Sequence, residues 1–214
     1  MAASRDARGP GPLPLDVVDL AGVADALADN EGMTSWWLDP TTGEVVPTFS
    51  DWSEDDDVDP EEQGWVFIEP EGSRPAYRDM ADFAEAVGDP RAHDLLQRSL
   101  GGRGAFRRFR DAMYELPALQ EHWIGYRSAC AEMRAIEWLV DHALVDGPAA
   151  EAALAVRRER TASILDEVAA VEGPVVELAE VPERWAEIAA WLAAGTSVTL
   201  TRAGRTVATI DPRS

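Results

Sequence analysis

Four consecutive apolar stripes at helical spacing, each cut short by glycine or proline, fill the middle of the chain and fix most of what it can fold into. Tyr77, Met80, Phe83/Ala84 and Val87 form the first, which Gly88 ends. Leu95, Leu96 and Leu100 form the second, between Asp89-Pro90 and Gly101-Gly102. Phe106, Phe109 and Met113 form the third, bounded by Pro117, and Trp123, Tyr126, Cys130, Met133, Ile136 and Val140 the fourth. Residues recurring at i, i+3, i+4 and i+7 share one face of an α-helix, and Gly and Pro interrupt helices, so the pattern predicts four amphipathic helices. Each has one face to bury, which requires further elements around them.

The flanks supply those elements. Val17, Leu20, Val23/Ala24 and Leu27 predict a helix over 15–28. Trp36-Trp37-Leu38, the turn Asp39-Pro40-Thr41-Thr42-Gly43 and Glu44-Val45-Val46 predict two paired strands, with Trp36 and Leu38 on one face and Trp37 on the other. Trp65–Ile68 predicts a third strand, after a block at 51–62 that holds eight acids and no base and reads as a solvated loop. Beyond Gly147-Pro148 a charged, alanine-rich helix carries only the thin stripe Leu154, Ile164/Leu165 and Val168. Strand, helix and hairpin signals then follow at Val175–Leu178, Val181–Leu192 (closed by Gly195), Ser197–Thr201 and Thr206–Ile210. The fold class is α+β: a small antiparallel sheet with several amphipathic helices, then a helical connector and a small β-α-β-β unit. The expected boundaries are a flexible tail over 1–14, an α+β domain over 15–146, the connector over 147–173 and the small unit over 174–214.

Charge and composition narrow the function classes. The 214 residues include 40 acids and 19 bases, all of the latter arginine, for a net charge of −21. That field repels phosphate, which disfavours DNA as a partner and opposes anionic lipid. No apolar run reaches the ~20 residues that span a bilayer, so no membrane is expected. Residues 1–14 lack the apolar core of a signal peptide. Cys130 is the single cysteine, which excludes an internal disulfide and a cysteine-based zinc site. The expected location is the cytoplasm.

Two stretches carry resemblances. Trp37-Leu38-Asp39-Pro40-Thr41-Thr42-Gly43-Glu44-Val45-Val46, Tyr77-Arg78-Asp79-Met80-Ala81-Asp82-Phe83 and Leu100-Gly101-Gly102-Arg103-Gly104-Ala105-Phe106-Arg107-Arg108-Phe109-Arg110-Asp111 resemble an uncharacterised bacterial protein family, UPF0158, with Trp123 and Glu137-Trp138-Leu139 in the expected order. The resemblance spans about 15–145 and implies an α+β domain without an assigned chemistry. The tail, from Ala194-Gly195 through Thr201-Arg202-Ala203-Gly204-Arg205 to Ile210, resembles the N-terminal domain of Phd/YefM-type antitoxins. That resemblance implies a homodimer, a protein partner such as a toxin and, in many relatives, operator DNA.

The candidate site residues follow. Arg103, Arg107 and Arg110, at i, i+4 and i+7, are expected on one helix face, and with Arg202 and Arg205 they form a candidate patch for an anion, nucleic acid or an acidic partner. Phe106, Phe109 and Met113 are expected to point into the core. Trp185, Ile188, Trp191, Val198 and Leu200 give the small C-terminal unit more apolar surface than it can cover alone, so they form a candidate oligomer interface. On this reading Trp191→Asp turns an oligomer into a monomer. His93, His122 and His142 show no metal-ligand spacing, the acidic block fails the EF-hand template, and no catalytic motif is present. No metal, cofactor or catalytic residue is expected. The functional expectation is a non-enzymatic interaction or regulatory protein, antitoxin-like, that dimerises and binds a protein partner. The alternatives are an enzyme using carboxylates in a cleft of the first domain and a nucleic-acid-binding protein.

Overall fold

A computed structural model describes residues 11–49, 59–170, 173–194 and 196–212. Most of the expected tail, residues 51–58 of the acidic block 51–62, and Gly195 lie outside the described residues. The fold is α+β, as its periodicities require.

The chain packs into two compact units, Met1–Arg74 with Cys130–Arg157 and Pro75–Ala129 with Arg158–Ser214. They interleave along the chain. The cause is helix length. A helix of 25 residues, Pro117–Asp141, is about 37 Å long. Its first half buries Leu119 and Tyr126, and its second half buries Ala135, Ile136 and Leu139. The charged helix Gly147–Ala169 does likewise, burying Ala150 and Leu154, then Thr161 and Val168.

The first unit holds α1 (Leu20–Ala28) and the strands β1 (Thr34–Leu38), β2 (Val45–Phe49) and β3 (Val66–Ile68). The sheet is antiparallel in the order β2-β1-β3, with Trp37 opposite Val46 and Phe67. Alternation is realised as expected: Trp36 and Leu38 join the core with Val23, Leu27, Ile68, Ile136 and Leu139. Trp37 packs against Phe67 at 5.1 Å between ring centres and donates from Nε1 to Thr48 Oγ1 at 3.2 Å. Helix α1 starts at Leu20 and not at residue 15, because Asp19 caps it by accepting from the Gly22 N–H at 2.9 Å. Leu13, in the stretch expected to be loose, bridges to Val145.

The second unit holds α2 (Arg74–Ala86), α3 (Pro90–Leu100), α4 (Ala105–Tyr114), the first half of α5 (Pro117–Asp141) and the end of α6 (Gly147–Ala169). Its centre is aromatic. Trp123 meets Phe83 at 5.3 Å and Phe109 at 4.9 Å, both edge to face, the geometry that adds about 0.5–1.5 kcal/mol per pair beyond area. The same unit holds β4 (Val175–Glu177), α7 (Val181–Ala193), β5 (Val198–Arg202) and β6 (Arg205–Ile210). Strand β5 is central, parallel to β4 and antiparallel to β6. The expected β-α-β-β order is present, and its small core is Val176, Ile188 and Val198.

This small sheet is pinned to the helices of its own unit. Val175 N–H donates to Asp89 Oδ2 at 3.3 Å, next to the place where Gly88 N–H ties the α2–α3 turn to the Val168 carbonyl of α6 at 2.9 Å. The hairpin turns through Ala203 (φ 50) and Gly204 (φ 75), two positive φ values as a tight two-residue turn needs. A side chain at Gly204 would come within 3.2 Å of the Ala118 carbonyl, so glycine allows the hairpin tip to lie on the start of α5.

Candidate interaction surfaces

The arginines expected on one helix face divide among three environments. Helix α4 starts at Ala105, after Gly102 (φ 71) and Gly104 (φ 78), so Arg103 sits in the turn and not on the helix. The left-handed glycines break the periodicity that the i, i+4, i+7 spacing assumed. Arg107 is exposed and pairs with Asp111 at 3.8 Å. Arg108, outside the candidate set, holds the turn together. Its Nε donates to the Ser99 carbonyl at 3.1 Å, and its terminal nitrogens donate to the carbonyls of Gly101, Gly102 and Arg103. The Ser99 carbonyl is one that the end of α3 leaves without a helical donor, and the others belong to the turn that follows it.

Arg110 lines a cavity of about 450 Å³ together with Arg127. The floor is apolar: Met80, Phe109 and Met113 are buried, with Trp123 beside them. The rim carries Phe106, Tyr114 and Ile124, which are 45%, 72% and 59% exposed. Phe106 therefore lies outside the core, contrary to the expectation for its stripe. The buried residues of α4 are Ala105, Phe109, Ala112 and Met113, and the two alanines turn the buried face away from Phe106. No acidic residue lines the cavity. Sequence reading missed Arg127, Tyr114 and Ile124. The available signal was Ile124, an apolar residue off the Trp123–Tyr126–Cys130 stripe and three positions from Arg127.

The C-terminal candidates also separate. Ile188 and Val198 are fully buried, and Trp191 and Leu200 pack against them. Arg184 donates to Glu180 at 3.0 Å and lies 5.4 Å from the centre of the Trp191 ring. Trp191→Asp would therefore damage the small core itself. Trp185, 57% exposed, is the member of the set that faces outward. Strand β6 is the edge of its sheet, and five of its six residues are exposed. A register shift between Leu200 and Thr201 leaves Val207 unpaired on β6. Arg202 and Arg205 stand opposite each other across the hairpin, both exposed.

A second cavity, about 570 Å³, is lined by Asp89, Arg91, Arg98, Glu115, Glu177, Glu180, Glu183 and Arg184 among others. Its charges are largely engaged. Asp89 caps α3, and Glu177 accepts from Thr201 Oγ1 and the Ala203 N–H, both at 2.7 Å. Among the described residues, Asp29 and Asp39 of the first unit have carboxyl pKa values displaced downward. The Trp36 indole, followed by the Glu31 N–H, holds Asp29 below the usual carboxylate range. For Asp39 partial burial pushes upward, but hydrogen bonds from Thr41 and Thr42 outweigh it. His122 Nε2 lies 3.5 Å from Glu167, and the His142 ring stacks on Trp138 at 4.3 Å. Cys130 is buried. Among the described residues no three metal-ligating groups cluster, and no helix is long and apolar enough to cross a membrane.

A family model described as an uncharacterised protein family, UPF0158, matches residues 12–161. No curated protein and no solved structure matches the chain.

Proposed function

We propose that this chain, which belongs to the uncharacterised protein family UPF0158, is a non-enzymatic interaction protein that self-associates through its C-terminal β-α-β-β unit. The observation that carries the reading is the exposed edge strand β6, in a unit whose helix α7 also turns Trp185 outward. An edge strand offers a row of unpaired N–H and C=O groups, and proteins guard such edges with charge, proline or covering elements. Between Arg205 and Asp211 the edge has neither charge nor proline. Antiparallel pairing of β6 with its copy brings the Arg205 end of one strand to the Asp211 end of the other, an attractive arrangement. The register shift at Val207 interrupts the ladder, while Ala208, Thr209 and Ile210 stay in continuous register with β5.

The likeness of this tail to Phd/YefM-type antitoxins extends the reading. The dimer is then a regulatory unit that holds a protein partner such as a toxin, with operator DNA a secondary ligand that the net charge opposes. The test is exchange between copies. Tagged and untagged full-length chains are mixed, and the tagged form is recovered. Untagged wild type co-purifies and untagged Trp185→Asp does not. Absence of exchange with wild type after long incubation and after co-expression overturns self-association.

A further inference from the structure

We infer that the groove formed by α2, α4 and α5 is a docking site for an acidic peptide segment of another protein, with one apolar side chain in the cavity and flanking carboxylates on Arg110 and Arg127. The inference goes beyond self-association and rests on different residues.

The charges in the groove set its ligand. In a chain with 40 acids, this cavity has two arginines and no acid in its lining. Arg108 and Arg157 are engaged, the first by backbone carbonyls and the second by Glu132 at 2.8 Å. Arg110 and Arg127 make no hydrogen bond or ion pair with any described residue. An exposed guanidinium beside apolar surface pairs a carboxylate in two-pronged fashion and stacks on aromatic rings. A basic segment is repelled here.

The apolar part sets the ligand's other half. A volume of about 450 Å³ falls within the ~300–1,000 Å³ of ordinary ligand pockets. Its floor of Met80, Phe109 and Met113 takes an apolar side chain. The exposed rim of Phe106, Tyr114 and Ile124 extends past the cavity, more surface than a small anion covers and the kind of patch that marks protein contact. A nucleic acid fits less well, because its charge repeats along the whole strand and meets a chain of net charge −21. A short peptide places two or three carboxylates only where the arginines are.

The full-length chain is panned against a displayed library of random short peptides, and the selected peptides are measured by fluorescence anisotropy. The expected consensus is an aromatic or aliphatic residue flanked by Asp or Glu. Arg110→Gln and Arg127→Gln each weaken the selected peptide by roughly tenfold, the worth of one charge-assisted pair. Tyr114→Ser weakens it without touching charge, and Arg103→Gln leaves it unchanged. Circular dichroism of the variants is expected to match wild type. A basic or charge-free consensus, no selection above background, affinity unchanged in both arginine variants, or displacement of the peptide by a single-stranded oligonucleotide at lower concentration each overturns the inference.

Discussion

Asp89 and Val175, 86 positions apart, meet through a hydrogen bond of 3.3 Å from the Val175 N–H to Asp89 Oδ2. The other carboxylate oxygen caps α3 by accepting from the Arg91 N–H at 3.0 Å. One buried side chain thus starts a helix and fastens the C-terminal sheet to it. Asp89→Ala removes a cap worth about 1 kcal/mol and strands a half-buried N–H, for a loss of about 2 kcal/mol in urea unfolding. Asp89→Asn keeps an acceptor and loses less. Equal stability of Asp89→Ala and wild type would show that the sheet is held otherwise.

Arg108 closes the turn between α3 and α4 through the carbonyls of Ser99, Gly101, Gly102 and Arg103. Lysine cannot reproduce a planar fork with five donors. Both Arg108→Ala and Arg108→Lys are therefore expected to lose about 1–2 kcal/mol. Both variants are also expected to be cut faster by protease at residues 101–104. Full recovery in the lysine variant would assign the effect to charge alone.

The Asp29–Trp36 pair gives a pH dependence. Trp36 Nε1 donates to Asp29 Oδ2 at 2.8 Å, and the Asp29 pKa lies below its usual range. A depressed carboxyl pKa contributes stability that is present above the unfolded value, about 3.9, and is lost as pH falls through the folded value. The Trp36 indole proton resonance is expected to shift only below about pH 4, and Asp29→Asn to abolish that titration. A transition near neutral pH would point to another group.

The two C-terminal tryptophans are expected to answer differently. Trp191 packs on the small core with Arg184 near its ring, so Trp191→Asp costs about 3 kcal/mol or more and melts the C-terminal unit. Trp185 is exposed, and Trp185→Asp changes stability by less than about 0.5 kcal/mol. Thermal unfolding followed by tryptophan fluorescence separates them. Equal destabilisation by both would mean that Trp185 is also packed.

Much of this arrangement is legible in the sequence where large apolar residues and breakers coincide. Gly88, Gly101-Gly102 and Pro117 cut the central helices, and the Ala203-Gly204 turn sets the last hairpin. Reading fails where alanine decides a face. Ala105 and Ala112 rotate the buried side of α4 away from Phe106, and Leu139 with Ala135 does the same to Val140 on α5. Small side chains add little to an apolar pattern, yet they permit the closest packing. The grouping of residues into units was hidden for another reason. A long helix can serve two cores, and no local signal marks the point where it changes partner. Of the arginine face, Arg110 reaches the groove, whereas its companion there, Arg127, comes from a different helix. That pairing is a product of helix packing and has no signature in spacing.

Self-association through the C-terminal unit is tested most directly by the mass of the full chain in solution. Sedimentation equilibrium of wild type over a range of concentrations is expected to approach twice 23.3 kDa. Trp185→Asp is expected to stay at 23.3 kDa while remaining folded. A wild-type mass of 23.3 kDa at every concentration, or a dimer that survives both Trp185→Asp and a charge placed at Val207, contradicts the account.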